Sequence, residues 1–373
     1  MRYIWQHIRV ILERYDGTLP LTHYLKSYCR QYPALGSRDR RLLSDMAYSW
    51  YRCSRGLVSA QKYEFEIMMK VCLTFCGAET AIRYLFPAEN ALPSDIEFDI
   101  HRVFNQSIDI SPGFNGIDWL NSMLVQPALF IRIRKNKDVL TGLLEQAGIT
   151  FEQVNDTCLA LPNGARIDAL LPADSYVVQD ASSQAACSYF TPKKNETWLD
   201  CCSGAGGKSL LLKDMEPGIK QVATDIRQSI LHNLKERFKL YGLTPPAMHV
   251  ADAADAASLE ERLGNTRFDH IICDVPCSGS GTWARTPEQL YFFDEAKQRR
   301  YPILQRSIAT NAVRYLKPGG TLYYITCSVF VEENEAIITH LIQTTGLQPE
   351  QQQLINGIPL KADSMFVSVL RKV

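Results

Sequence analysis

Two cysteines in the last third of the chain stand where covalent chemistry is often performed. Cys277 follows the run Asp274-Val-Pro276, and Cys327 follows Thr326. Each comes directly after an apolar segment of the kind that forms a buried strand. If the two strands are parallel neighbours, both thiols lie at one rim of the sheet, where ligands of such sheets bind.

A pair of thiols at such a rim suits methylation of a pyrimidine carbon. Carbon 5 of cytosine is a poor nucleophile, but a thiolate that adds to carbon 6 turns the ring into an enamine. Carbon 5 then attacks a sulfonium methyl group, its proton leaves, and the thiolate is expelled. A carboxyl group near ring N3 and the exocyclic amine helps the ring accept electrons, and Asp274 is the candidate for this role.

Other interpretations of these cysteines were weighed. A single cysteine on a strand is usually a small buried hydrophobe. A thiol phosphatase loop needs an arginine closer to the cysteine than Arg285, the first arginine after Cys277. Two cysteines at successive strand ends, one of them after Asp-x-Pro, therefore favour the covalent chemistry.

A glycine-rich segment, residues 200–209, follows an earlier predicted strand and opens a helix. Such a turn lets backbone N–H groups approach a ligand closely. A Walker loop would need glycine at Cys202, and a dinucleotide loop would need glycine at Ser209. The remaining interpretation is a loop for S-adenosylmethionine, opened by Asp200.

Two further acids extend this interpretation. Asp225 ends the next predicted strand, where it is placed to hold ribose hydroxyls, and Asp252 follows the third strand, where it is placed to receive an adenine amine. One strand-terminal aspartate is often only a helix cap. Three in order on successive strands favour a nucleoside-binding edge.

The segments around these residues predict an α/β protein of three domains. Residues 1–118 carry apolar residues at helical spacing and are predicted to form a helical domain. Residues 119–175 combine short alternating strands with one helix, which indicates a small α/β subdomain. From 176 to 373, strands alternate with helices, which predicts a catalytic domain with a parallel, doubly wound sheet.

Composition narrows the class of protein. The chain has 373 residues, 11 cysteines, 7 histidines and no net charge. With no long apolar run, no secretion signal and no Cys/His cluster, we expect a cytoplasmic protein with free thiols, no membrane and no metal. Zero net charge is unusual for a nucleic-acid binder, but basic residues concentrate locally at 132–137, in either a solvated face or an RNA contact.

These motifs together resemble those of the RsmB (Fmu, or Sun) family of RNA cytosine-5 methyltransferases. The resemblance extends over roughly 120–373. It is carried by VVQDASSQAAC at 177–187, LDCCSGAGGKS at 199–209, ATDIRQ at 223–228, DVPCSGSGTWARTPE at 274–288 and LKPGGTLYYITCSVFVEENE at 316–335.

The resemblance implies the class I, Rossmann-like fold of methyltransferases that use S-adenosylmethionine, preceded by a small RNA-binding α/β unit. It implies that Cys327 attacks carbon 6, that Cys277 assists release of the product, and that Lys208, Asp274 and Pro276 line the target pocket. The cofactor-binding residues would be Cys202, Ser203, Gly204, Ala205, Gly206, Gly207, Lys208, Asp225, Asp252 and Asp274.

The stretch at 36–52 resembles the helical RNA-binding domain of bacterial rRNA members of the family. We therefore expect a monomer that methylates a cytosine of 16S rRNA; a tRNA cytosine-5 methyltransferase and a non-catalytic, RNA-binding ribosome assembly factor are the alternatives. The chain departs from the family at Ala205, where proline is usual, and at Ala284, where arginine often stands. Candidate RNA contacts are Arg285, Gln179, Arg132, Arg134 and Lys135.

Overall fold

The computed structural model describes residues 2–58, 60–87 and 92–373. The helices are α1 Arg2–Arg14, α2 Leu21–Gln31, α3 Ser37–Cys53, α4 Phe65–Phe75, α5 Glu79–Leu85, α6 Gly116–Leu124, α7 Lys137–Gln146, α8 Ala181–Cys187, α9 Gly207–Met215, α10 Gln228–Leu240, α11 Ala256–Leu263, α12 Pro287–Tyr291, α13 Glu295–Gln298, α14 Arg300–Val313 and α15 Glu335–Thr345. The strands are β1 Leu129–Ile133, β2 Glu152–Asn155, β3 Cys158–Leu161, β4 Tyr176–Val178, β5 Thr197–Asp200, β6 Lys220–Asp225, β7 Ala247–Val250, β8 Phe268–Asp274, β9 Leu316–Thr326, β10 Gln348–Ile355 and β11 Met365–Arg371.

The chain divides into two compact units. The helical unit comprises 1–108, 115–126 and 282–295, and the sheet unit comprises 109–114, 127–281 and 296–373. The segment 282–295 is thus part of the helical unit although it follows a strand of the sheet unit in sequence. No helix in the described part of either unit is both long and apolar enough to cross a membrane.

The helical unit is built on amphipathic helices. In α1, Ile4, Ile8 and Ile11 recur at helical spacing and are buried, because this face packs into the core of the unit. The segment 282–295 joins that core, where Glu288 accepts a hydrogen bond from the backbone N–H of Leu21 at 3.1 Å. A buried carboxylate therefore satisfies an otherwise orphaned donor in the first turn of α2.

The sheet unit contains a seven-stranded sheet in the order β10-β11-β9-β8-β5-β6-β7. Strands β7, β6, β5, β8 and β9 are parallel, whereas β11 runs antiparallel to β9 and β10 antiparallel to β11. The predicted parallel, doubly wound sheet is thus present, and the structure adds two antiparallel strands at this edge. The link 356–364 between β10 and β11 is too short for a crossover helix, so the two strands pair antiparallel.

The central strands have almost no exposed residues. Ile271, Ile272 and Cys273 are consecutive in β8, and all three are fully buried. A strand that alternated polar and apolar residues could not have this burial, which requires packing on both faces of the sheet. The run of apolar residues is therefore what makes β8 a central strand and brings its carboxyl end to the middle of the rim.

A second, four-stranded sheet in the order β2-β3-β1-β4 belongs to the same unit. Its strands pair antiparallel, and β4 lies just beyond the predicted subdomain boundary at 175. Helix α6 likewise extends across the predicted boundary at 118. The division into three domains, with RNA binding assigned to 1–118 and 119–175, remains a prediction.

Arg132 of β1 and Arg134, which follows the strand, anchor this small sheet to helix α9. Arg132 and Arg134 both form ion pairs with Asp214, at 2.8 and 2.7 Å, and their side chains are only 8% and 10% exposed. Arg134 also donates to the carbonyl oxygens of Asp174 and Tyr241. One carboxylate thus compensates two guanidinium groups that have lost most of their water.

We predict that Asp214→Ala lowers the free energy of unfolding by about 3 kcal/mol, because it leaves two buried guanidinium groups without a counter-charge. Chemical denaturation followed by circular dichroism measures the change. The matched control is Asp174→Ala, which removes the exposed partner of Lys135 and should cost far less than Asp214→Ala, because water screens this pair. Equal losses in the two variants would contradict the anchoring role.

Candidate functional site

The two cysteines lie together at the carboxyl rim of the seven-stranded sheet. Their strands, β8 and β9, are parallel neighbours, and the Sγ atoms of Cys277 and Cys327 are 3.2 Å apart. A hydrogen bond of 2.9 Å from the Gly281 N–H to the Cys327 carbonyl oxygen joins the two loops. Only glycine fits at position 281, because a Cβ atom there would lie 2.0 Å from the Ser364 carbonyl oxygen.

The two thiols have different surroundings. The hydrogen bond with Cys327, burial and the charge of Glu333 together raise the pKa of Cys277 well above its usual value. Cys277 is therefore a protonated thiol at neutral pH. Cys327 instead lies within electrostatic range of the Lys208 ammonium group.

Lys208 forms a short ion pair at this rim, with its Nζ 2.6 Å from Asp274 Oδ2. The lysine side chain is 10% exposed, whereas that of Asp274 is 32% exposed. Burial favours the neutral amine, but the Asp274 carboxylate outweighs it and raises the pKa of Lys208. A fixed positive charge thus stands beside a more accessible carboxylate and the Cys327 thiol.

The glycine-rich loop turns between β5 and α9 through two residues with left-handed backbone. Gly204 has φ +51° and Gly206 has φ +76°, and a Cβ on Gly206 would lie 2.6 Å from Leu234. Arg237 donates to the Ala205 carbonyl oxygen at 2.8 Å. The loop is therefore held by α10 even though alanine stands where the family usually has proline.

The first two predicted acids border this loop. Asp225 accepts from the Gly204 N–H at 3.0 Å and pairs with Arg227, and these contacts lower its pKa although burial opposes them. Burial raises the pKa of Asp200 to about 7. Asp200 accepts from the Ser209 hydroxyl at 2.7 Å, while its other oxygen is buried without a partner in the described part of the chain.

The third acid, Asp252, has a capping contact. Its side chain accepts from the Ala254 N–H at 2.9 Å, as many strand-terminal aspartates do. Asn311 holds the same loop by donating to the carbonyl oxygens of Ala253 and Ala254. Asp252 is partly exposed beyond the neighbouring strand end, so the cap and the predicted adenine contact are compatible.

The loop and its acids fit a nucleoside cofactor. A Cβ on Gly204 or Gly207 would meet nothing within 4 Å, so the backbone is open on that side. The Ser203 hydroxyl is buried and unpartnered within the described residues. Open glycine backbone, an orphaned hydroxyl and an ionised acid are the groups that a ribose and an amino-acid moiety would use.

The predicted RNA contacts are divided between the two units. Gln179 is buried and accepts from Arg132, Lys135 is exposed and pairs with Asp174, and Arg285 lies in segment 282–295 of the helical unit. Because Arg132 and Arg134 are committed to Asp214, we withdraw both as RNA contacts. Their clustering in sequence reflected an internal ion-pair network.

Sequence reasoning also missed the residues beneath the cysteines. Glu333 was noted only as part of a motif, yet it is fully buried, as are Gln298 and Gln305, which donate to it. The two glutamines lie on α13 and α14 outside any recognised motif. Only the burial of an acid in an otherwise apolar rim could have signalled the cluster.

Known proteins have sequences similar to that of this chain. The family model for 16S rRNA methyltransferase RsmB/F matches residues 187–365. Ribosomal RNA small subunit methyltransferase B of Shewanella oneidensis is 33% identical over 221 residues, which are 58% of this chain and 50% of that protein. The protein of that name from Klebsiella pneumoniae strain 342 is 31% identical over 63% of this chain and 54% of its own.

Over its C-terminal half the chain is thus similar to the RsmB/F methyltransferases. This confirms the resemblance read from the motifs, and similarity to methyltransferases implies S-adenosylmethionine as the cofactor. The chain spans about half the length of the curated relatives it matches.

Solved structures share the fold of this chain. The protein PH0851 superposes with a TM-score of 0.72 over 95% of each chain, at 20% identity. A methyltransferase homolog protein from Pyrococcus horikoshii has a TM-score of 0.58 at 21% identity, over 69% of this chain and 90% of its own. NSun6 from Pyrococcus horikoshii, solved with SFG, has a TM-score of 0.60 at 15% identity, over 69% and 94%. These likenesses confirm the Rossmann-like methyltransferase fold.

We predict that Gly206→Ala weakens S-adenosylmethionine binding at least about tenfold, since strained backbone and the contact with Leu234 together cost about 1–3 kcal/mol. The stabilisation of the folded protein by added cofactor, measured as a thermal shift, reports the loss. Gly242→Ala is the matched control, because Gly242 also has left-handed backbone but open space around it. An undiminished shift in Gly206→Ala would refute the loop's role.

Proposed function

We propose that this chain is an S-adenosylmethionine-dependent RNA (cytosine-5-)-methyltransferase that acts on a cytosine of 16S rRNA through a covalent cysteine adduct. The 3.2 Å separation of the Cys277 and Cys327 Sγ atoms, at the rim that also carries the Lys208–Asp274 pair, is the observation behind it. Methylation of a pyrimidine carbon needs a nucleophile that adds and is later expelled, and a second thiol at contact distance suits the expulsion.

The different surroundings of the two thiols support Cys327 as the nucleophile. Cys277 is held protonated, whereas Cys327 lies within electrostatic range of the Lys208 ammonium group. The Cys327 thiolate adds to carbon 6 of the cytosine and makes carbon 5 nucleophilic. The family resemblance gives the same assignment.

The remaining residues prepare the ring and complete the cycle. The Asp274 carboxyl, held by Lys208 and partly exposed, faces the polar edge of the base and helps ring N3 accept electrons. When bound, S-adenosylmethionine supplies the electrophilic methyl group, and Asp225 and the 202–208 loop would hold it. After methyl transfer the carbon 5 proton leaves, the bond from carbon 6 to Cys327 breaks, and Cys277 assists this release.

The names of the relatives favour ribosomal RNA as the substrate. The Shewanella and Klebsiella proteins are both ribosomal RNA small subunit methyltransferase B. We propose that the helical region 1–118 and the subdomain 119–175 bind the RNA, with Lys135, Gln179 and Arg285 as candidate contacts. The target cytosine must be unpaired or flipped out to reach the buried rim.

We predict that Cys327→Ala lowers methyl transfer by on the order of 10³ or more, because no thiolate remains to add to carbon 6. Cys277→Ala should instead accumulate a covalent protein–RNA complex, since addition proceeds and release fails. Transfer from labelled S-adenosylmethionine and denaturing gel electrophoresis measure the two effects. Cys76→Ala, which changes a partly buried thiol of the helical unit, serves as the control. Trapping by Cys327→Ala rather than Cys277→Ala would reverse the assigned roles.

We predict that small-subunit rRNA without its native modifications acquires a single 5-methylcytosine when incubated with the protein and S-adenosylmethionine. Bisulfite sequencing of the product locates it. Methylation of bulk tRNA but not of rRNA would support the proposed cytosine-5 methylation and contradict the proposed rRNA substrate. Binding of rRNA without methylation of either RNA would favour a non-catalytic assembly factor.

A further inference from the structure

A buried carboxylate lies beneath the two cysteines. Glu333 has no exposed surface, and its two carboxylate oxygens accept four hydrogen bonds of 2.8–2.9 Å. All four donors are neutral groups, namely the Ser278 backbone N–H, the Ser328 hydroxyl and the side-chain amides of Gln298 and Gln305. Burying a carboxylate is costly unless its oxygens are satisfied, so this site has been built to hold one.

The first pair of donors fixes the Cys277 loop on both sides of the cysteine. The Ser278 N–H, which directly follows Cys277, donates to Glu333 Oε2 at 2.8 Å. Gln305 donates to the same oxygen at 2.9 Å and to the carbonyl oxygen of Pro276, which directly precedes Cys277, also at 2.9 Å. The backbone on either side of this thiol is therefore tied to one carboxylate oxygen.

The other oxygen fixes the Cys327 loop. Ser328, the next residue after Cys327, donates its hydroxyl hydrogen to Glu333 Oε1 at 2.8 Å. The neighbouring Asn334 donates to the Ser328 carbonyl oxygen at 2.9 Å and accepts from the Thr326 hydroxyl at 2.6 Å. Glu333 and Asn334 thus hold the residues before and after this thiol.

We propose that Glu333 is a positioning residue that clamps the two cysteine loops together and thereby sets the contact distance between the Cys277 and Cys327 thiols. This inference deepens the proposed function, on which its catalytic meaning rests. The clamp itself depends only on the protein, because each oxygen of one rigid carboxylate holds one loop. Removing the carboxylate would release both loops at once.

The charge of Glu333 gives the clamp a second, measurable effect. Hydrogen bonds to a carboxylate favour its ionised form, and an anion beneath the rim makes ionisation of a nearby thiol harder. The charge of Glu333 contributes to the raised pKa of Cys277, after the hydrogen bond with Cys327 and burial. The other titratable groups near the thiols are Lys208, Asp274, Tyr301 and Tyr324.

Glu333→Gln tests both effects without RNA or cofactor. The glutamine amide keeps the shape of the Glu333 side chain but removes its negative charge. The amide N–H group then faces hydrogen-bond donors instead of accepting from them, so the two cysteine loops should separate. With dibromobimane, which links two close thiols into a fluorescent product, the ratio of the Cys277–Cys327 link to single-thiol adducts should fall about tenfold, whatever the rate at which the first thiol reacts. Iodoacetamide alkylation of Cys277 at a fixed pH should become faster, by about tenfold for each unit by which the pKa falls.

The matched control is Glu335→Gln. Glu335 is an acid two residues away that accepts from the Ser111 hydroxyl and does not contact the cysteine loops. Both thiol reactions should be unchanged in this variant. Peptide mass spectrometry separates the cysteines, and continued protection of buried Cys187 and Cys273 shows that each variant is folded.

A second variant decides the matter if Glu333→Gln does not fold. Gln305→Met keeps the volume of the side chain but removes the donor shared by Glu333 and Pro276, so the ratio of the dibromobimane link to single-thiol adducts should fall while the charge of Glu333 is kept. An unchanged ratio in a folded Glu333→Gln or Gln305→Met protein would overturn the clamp. A lower ratio in a protein whose wild type methylates no RNA would support the clamp and contradict only the proposed function.

Discussion

The parallel pairing of β8 with β9 is the constraint on which the site depends. The register pairs Asp274 with Ile325, so the two strands end within a residue or two of each other. The loops that follow then start at the same height on the rim, and two cysteines separated by 50 positions in the chain come into contact. A change of register would move one thiol along its strand by about 3.3 Å per residue and separate the pair.

That pairing places charged groups where little water can reach them, so each must find a partner in the protein. Lys208 is compensated by Asp274, Asp225 by Arg227 and a backbone N–H, and Glu333 by four neutral donors. Electrostatic interactions are stronger at such a rim than in water. The same partial burial that requires these partners brings one lysine and one glutamate within electrostatic range of the two adjacent thiols.

Much of this arrangement follows from local sequence, and the exceptions have physical reasons. The strands β5 to β9 were readable because buried parallel strands are runs of apolar residues, and the strand-end rule then selected Asp200, Asp225, Asp274 and the two cysteines. The antiparallel edge was missed because β10 is polar and exposed and so has no apolar strand signal, while the apolar run of β11 looks like that of the parallel strands. Direction depends on the length of the connection, which periodicity does not report.

Charge patterns were a poorer guide than apolar patterns. Arg132 and Arg134 looked like an RNA contact because their partner, Asp214, is distant in sequence and only the fold brings it to β1. Glu333 was passed over for the converse reason, since an acid in an acidic motif looks solvated until its donors from α13 and α14 are seen. In both cases the role of a charged side chain depends on its partners, which are either a counter-charge that neutralises it or hydrogen-bond donors that satisfy it. A basic residue that binds RNA must keep its charge available, whereas a carboxylate that organises a catalytic rim must have every lone pair engaged.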